Sequence, residues 1–196
     1  MKTLRRVILV SGTPGVGKSS VSRLLAHQLT AIHVNISKLA EREQLIRGKD
    51  HRRGTLIADT DKLSKRIQAI LRQSRSDVIV DGHYAVDVVP PRDVQVVFVL
   101  RRDPVELKSI LEERGFTGNK LWENLSAEIL DVCLWEAVVT CGEDKVCEID
   151  VSGKDVAETV GEILVGLNKK TFRIGRVDWL GKLAENGRFP EFLKPL

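Results

Sequence analysis

The sequence predicts a single α/β domain, a five-stranded parallel sheet with helices on both faces. Three observations carry that reading. Five short apolar runs alternate with longer helical patterns, and right-handed crossovers turn such an alternation into a parallel sheet. The first run passes straight into the glycine-rich segment Gly12-Thr13-Pro14-Gly15-Val16-Gly17-Lys18-Ser19, which in turn opens a helical pattern. The 196 residues suffice for one such core and are few for two.

Each element follows from its residues. Residues 6–11 hold a continuous apolar run of the kind a doubly buried strand shows. Beyond the loop, Val21, Leu24, Leu25 and Leu29 recur at helical spacing. Residues 31–36 read as a second strand and residues 38–46 as a short polar helix. The basic stretch from Arg47 to Gly54 has few apolar anchors, which predicts a mobile loop. Leu63, Ile67, Ile70 and Leu71 mark a helix, and residues 77–81 and 94–100 are the next two strands. Asp103 caps a helix whose first turn holds Pro104 and Glu106 and which Gly115 stops. One helix over about residues 121–139 then sets Leu121, Leu125, Ile129, Val132 and Trp135 along one face. Residues 146–150 form the fifth strand, residues 156–167 the closing helix, and residues 169–196 a tail with one short helix docked by Trp179.

Composition narrows the class. Charged residues are 30% and apolar residues 42% of the chain, an ordinary globular balance that excludes disorder. There is no run of 18 uncharged apolar residues and no secretory core near the amino terminus, so a cytoplasmic protein without membrane contact is expected. Cys133, Cys141 and Cys147 lack metal-ligand spacing and read as buried or free thiols. A net charge of +4 suits polyanionic partners without demanding nucleic acid.

The loop from Gly12 to Ser20 carries the chemistry. Consecutive backbone N–H groups at a helix amino terminus cradle phosphates, where the helix dipole also favours negative charge. Gly12, Thr13, Pro14, Gly15, Val16, Gly17, Lys18, Ser19 and Ser20 are therefore the nucleotide-binding candidates, with ATP and magnesium as ligands. Lys18 would reach the β- and γ-phosphates and Ser19 the magnesium ion. A second carboxylate for the metal should end a strand beside the loop strand, and Asp81 fits. His83, two residues on, could orient a water in the same crevice or be a turn histidine, whereas His27 and His33 read as structural. Cations for the migrating phosphoryl group are sought among Arg42, Arg92, Arg101, Arg114 and Lys120. Arg114 is favoured because it ends a helix just before the loop at residues 115–119.

With these residues in place, the chain resembles the adenylate kinase isoenzyme six family, also called the coilin-interacting nuclear ATPase family, over about residues 5–168. The likeness rests on the phosphate loop, on Asn35-Ile36-Ser37 with Leu39-Ala40, and on Asp59-Thr60-Asp61. It continues in Asp81-Gly82-His83, in Val97-Phe98-Val99-Leu100-Arg101, and in Arg114-Gly115-Phe116 followed by Lys120, Asn124 and Glu128. The resemblance implies a P-loop NTPase fold of the nucleoside monophosphate kinase class. Its core would span residues 1–168, with a monophosphate-binding insertion at about 35–57 and a short lid at about 113–123. It implies adenylate kinase and ATPase activities with AMP and ADP as substrates. It also implies maturation of the small ribosomal subunit through an S11-class ribosomal protein, with indirect contact to rRNA. By similarity Lys18 and Arg114 handle phosphates, Asp81 the metal, His83 the hydrolytic step and Lys154 the base, while Asn35, Arg42 and Arg92 are the acceptor-side candidates.

The chain departs from the family pattern at two places. Where relatives carry an arginine four residues before the lid arginine, it has Ile110, which forgoes a cation–π contact to adenine. Where they carry one after Leu-Ala it has Glu41, with Arg42 one step along the helix, about 100° round at ~3.6 residues per turn. Two functional classes follow: a phosphoryl-transfer enzyme, and a nucleotide-gated assembly factor that binds and releases a ribosomal protein. A small-metabolite kinase is a third.

Overall fold

The structure is a computed structural model that describes residues 5–50 and 55–192. β1 (Val7–Ser11) leads into α1 (Lys18–Leu29), and β2 (Ile32–Asn35) into α2 (Ile36–Arg42). β3 (Ile46–Asp50) and β4 (Thr55–Ala58) precede α3 (Thr60–Gln73), β5 (Val78–Asp81) and the single-turn α4 (Ala85–Val88). β6 (Val96–Arg101) is followed by α5 (Pro104–Glu113), α6 (Gly118–Ile129) and α7 (Val132–Cys141). After these come β7 (Val146–Asp150), α8 (Val156–Lys169), α9 (Trp179–Glu185) and α10 (Phe189–Phe192).

The central sheet has five strands in the order β2-β5-β1-β6-β7, and every neighbouring pair is parallel. The expected sheet is therefore present. Its register sets up the functional edge, because Asp81 aligns with Val10 of β1 and with Asn35 of β2. Three strand ends thus meet beside the loop that leaves β1, at the point where the connections part to either side. Alternate residues of β1 feed two cores: Ile8 and Val10 pack with Leu25, Leu107, Leu125 and Ile163, while Val7 and Leu9 pack with Leu63, Ile67, Val86 and Ala137. All four apolar side chains of β1 are essentially inaccessible, which is why the strand reads as an unbroken apolar run rather than an alternating one.

The structure corrects three expectations. The stretch after Arg47 is not simply a loop: β3 and β4 pair antiparallel as a separate two-stranded sheet, and only residues 51–54 lie outside the described chain. Its anchors are on the flanks, where Leu45 and Ala58 pack on the second core and the Asp59 N–H donates to Leu45 O at 2.9 Å. The helix expected over residues 121–139 is two helices. Asp131 adopts a left-handed conformation, φ 56°, and the buried Arg101 guanidinium takes both its carboxylate and the Glu128 carbonyl. Val132 and Trp135 consequently face outward, Trp135 being 65% exposed. The tail holds two short helices instead of one, with Trp179, Leu183 and Phe192 entering the first core.

Candidate active site

The loop between β1 and α1 is shaped by glycines that nothing else could replace. A Cβ on Gly12, at φ +131°, would stand 2.4 Å from the Leu100 carbonyl, and one on Gly15 would stand 2.8 Å from Leu107 Cδ1. The backbone of the loop is thereby pressed against β6 and α5, and α1 starts at once with Lys18. Lys18 Nζ donates to the loop's own carbonyls, Gly12 O at 2.7 Å and Thr13 O at 2.9 Å. Burial, aided by Arg114, lowers its pKa to about 8 against the opposing pull of Cys133, Asp81 and Glu128.

Asp81, fully buried at the end of β5, gathers one polar cluster. Ser19 Oγ donates to Asp81 Oδ2 at 2.7 Å, and Asn35 Nδ2 donates to both that oxygen and Ser19 Oγ at 2.9 Å. Asn35 also caps α2 by accepting the Lys38 N–H. His33 Nε2 lies 2.6 Å from Asp81 Oδ1. This gives His33, read as structural, a place beside the site. The signal was available: His33 and Asn35 are two apart on one strand and so share a face.

Two adjoining cavities open beside the loop, the smaller of them onto these groups. The smaller, about 270 Å³, is lined by the loop from Pro14 to Ser20 together with Asn35, Asp81, His83 and Arg114. The larger, about 580 Å³, lies between Ile36, Ala40, Ile46 and Ala58 on one side and Phe116, Lys120 and Asn124 on the other. Pro14, Ser37 and His83 border both. Lys120 Nζ sits 4.6 Å from the Phe116 ring centre, so that wall is at once aromatic and cationic. Arg114 caps α5 and makes no ion pair among the described residues. His83 stacks near Tyr84 with ring centres 3.7 Å apart; burial, aided by Lys18, drives its pKa down to about 4, so the imidazole is neutral at physiological pH.

Three other candidates stand elsewhere. Arg92 belongs to the turn before β6, where the Gln95 N–H donates to Val7 O at the start of β1. That is the amino edge of the sheet, opposite the phosphate loop, and the assignment of Arg92 to the acceptor site is corrected accordingly. Arg42 lines a third cavity with Arg23, Lys38 and Arg66 that also reaches Ser19, His33 and Asn35, and it donates to Glu43 at 3.2 Å. Glu41 instead borders the large cavity, as the 100° step implies. Lys154 spends its ammonium on Asp150 O and Glu162, both at 2.7 Å, and borders neither of the two cavities.

A second cluster behind the loop takes Arg101 out of the candidate phosphate cations, because its guanidinium is buried and met by carboxylates. Arg101, 1% exposed, donates to Glu128 Oε1 at 2.9 Å and to Glu148 Oε1 at 2.6 Å. Thr13 Oγ1 of the loop donates to Glu128 Oε2 at 2.6 Å, and Trp179 Nε1 of the tail to Glu128 Oε1 at 3.1 Å. Nothing local in the sequence marks this cluster, because its members come from five different elements.

Comparison with known proteins agrees with this architecture. A family model described as an AAA domain matches residues 8–131. A "Putative adenylate kinase" of Methanococcus maripaludis is 38% identical over 179 residues, covering 89% of this chain and 95% of its own. Proteins of the same name from Methanocaldococcus jannaschii and Thermococcus onnurineus are 37% and 39% identical, with 89% and 88% of this chain covered against 93% and 91% of theirs. Among solved structures, shikimate kinase from Bacteroides thetaiotaomicron superposes with a TM-score of 0.56 at 15% identity, covering 83% of this chain and 98% of its own. Thymidylate kinase from Candida albicans gives 0.54 at 17%, covering 85% and 92%. The two structures share the fold, and the archaeal sequences, matched along nearly their whole length, place the chain in their adenylate-kinase-like family.

Proposed function

We propose that this protein is a nucleoside monophosphate kinase of the adenylate kinase type, catalysing ATP + AMP = 2 ADP with slow ATP hydrolysis beside it. The observation that carries the reading is the pair of cavities meeting at Pro14, Ser37 and His83: one is built by a phosphate loop, the other by an apolar slot with a cationic aromatic wall. The first suits a triphosphate and the second a purine monophosphate, so that donor and acceptor phosphates would meet at their common border. Lys18 moves its charge from the loop carbonyls to the donor phosphates, and Arg114, without a protein partner among the described residues, balances charge on the equatorial oxygens.

Ser19 and Asp81 present hard oxygen ligands, which fit magnesium, while Asn35 and His33 fix their orientation. The ion, when bound, neutralises charge on the phosphate oxygens. His83 is a neutral imidazole able to orient a water, and the lid joining α5 and α6 is only about residues 114–117, which supports incomplete exclusion of water and hence hydrolysis. A coupled assay of ADP disproportionation tests the kinase reading. Lys18→Ala should reduce turnover by about 10²–10³-fold, the scale for one preorganised charge-stabilising donor. A wild-type chain that transfers phosphoryl to no monophosphate sinks it. A second reading, in which turnover gates the binding of an S11-class ribosomal protein, is favoured by the outward Trp135 and Val139 on α7. ATPase rates measured with and without that protein separate the two.

A further inference from the structure

We propose that Trp179, on the tail helix α9, is a positioning residue for the phosphate loop, acting through Glu128 on Thr13. The proposal rests on the reading that the loop holds the donor nucleotide. Glu128 is 1% exposed, and a carboxylate so buried is tolerated only when its lone pairs are engaged. Oε1 receives three donors from three directions: Arg101 Nε at 2.9 Å, the Arg102 N–H at 3.0 Å and the Trp179 indole N–H at 3.1 Å. Oε2 receives the Thr13 hydroxyl at 2.6 Å. With one oxygen pinned on three sides the carboxylate cannot turn, and its other oxygen is a fixed post for the loop.

The rest of the tail is attached in the same sense. The backbone N–H groups of Arg176 and Val177 donate to Glu148 Oε2 at 2.6 and 3.3 Å, and the other oxygen of Glu148 accepts from Arg101. Lys182 Nζ lies 2.6 Å from Asp103 Oδ2, and Asp103 caps α5, the helix that ends in Arg114. The segment therefore grips the back of the phosphate loop and the root of the helix that ends in a phosphate-facing cation. It is more than a surface helix docked by its tryptophan.

The test uses the full chain, binding of a fluorescent ATP analogue and steady-state kinetics. Trp179→Phe keeps an aromatic ring in the core and removes the N–H donor. The analogue should bind about three- to tenfold more weakly, with a matching rise in KM for ATP and kcat within about twofold, while the melting midpoint stays near that of the exposed control Trp135→Phe. Thr13→Val should weaken binding in the same way, and adding Trp179→Phe to it should cost nothing further, because both cut one link. Unchanged affinity, or additive effects in the double variant, overturns the proposal and leaves the kinase reading standing. A wild-type chain that binds no analogue removes that reading and the proposal with it. If Trp179→Phe fails to fold, a Trp122→Phe, Trp135→Phe chain leaves Trp179 as the one indole. Its emission should then change on titration with ADP, and Thr13→Val should abolish the change; a silent Trp179 overturns the proposal.

Discussion

On one side of the phosphate loop Asp81 gathers Ser19, Asn35 and His33; on the other Glu128 gathers Thr13, Arg101, Arg102 and Trp179. Both clusters are buried, polar and close to the same loop, yet they are built to different ends. Asp81, Ser19 and Asn35 border a cavity and carry oxygen ligands with capacity to spare. The Glu128 cluster is sealed, a guanidinium shared between Glu128 and Glu148 with Asp131 at its rim. Burial of polar groups therefore does not by itself mark a site. What separates site from scaffold is whether the group faces open volume and whether its charge is already met from within.

That contrast can be broken by experiment, and the largest effect should come from the sealed side. Arg101→Met leaves two buried carboxylates without their cation, and chemical denaturation should register a loss of about 3–5 kcal/mol. A variant with wild-type stability would mean that the cluster is not the scaffold described. On the open side the pattern should invert: Asp81→Asn is expected to lower kcat by about 10²–10³-fold while the melting midpoint hardly moves. A collapse of the midpoint would erase the distinction. His33→Gln, one contact further from the ligands, should raise the magnesium concentration needed for half-maximal rate by about tenfold, read from metal titrations of the coupled assay.

A smaller effect is expected from pH. His83 is held down to about 4 from the ordinary 6.5, so between those values the unfolded chain binds more protons than the folded one. Its contribution to stability is therefore complete above pH 6.5 and is lost progressively as pH falls toward 4. His83→Asn should flatten that acid branch, which melting curves across this window would reveal. The smallest effect belongs to Arg92→Ala: at the amino edge of the sheet it should leave turnover unchanged and stability within about 0.5 kcal/mol.

Legibility in the sequence followed the range of the interaction. The β1–loop–α1 unit was readable because strand, glycines and helix are contiguous, and Asp81 because a carboxylate ending a buried strand is a local pattern. Arg92 misled for a topological reason. Residues just before a strand lie at the amino edge of a parallel sheet, which places Arg92 on the wrong side, and one helical step separates Arg42 from the cavity that Glu41 borders. The β3–β4 hairpin escaped notice because its apolar anchors, Leu45 and Ala58, flank the basic stretch instead of lying within it. The break between α6 and α7 depends on Arg101, 30 residues earlier in sequence than its partner Asp131, and no window along the chain contains both ends of that bond in one pattern.

The left-handed Asp131 also resets the phase of everything after it. Buried positions on α6 run through Leu121, Leu125 and Ile129, and an unbroken helix would carry the stripe on through Val132, Trp135 and Val139. On α7 the buried residues are Leu134, Ala137 and Cys141, a slip of two positions, or about 200° at ~3.6 residues per turn. The slip hands the places of Val132, Trp135 and Val139 to Leu134, Ala137 and Cys141, and turns Trp135 and Val139 to the outside. A guanidinium that no solvent reaches thus decides which aromatic and aliphatic groups the molecule displays to its surroundings.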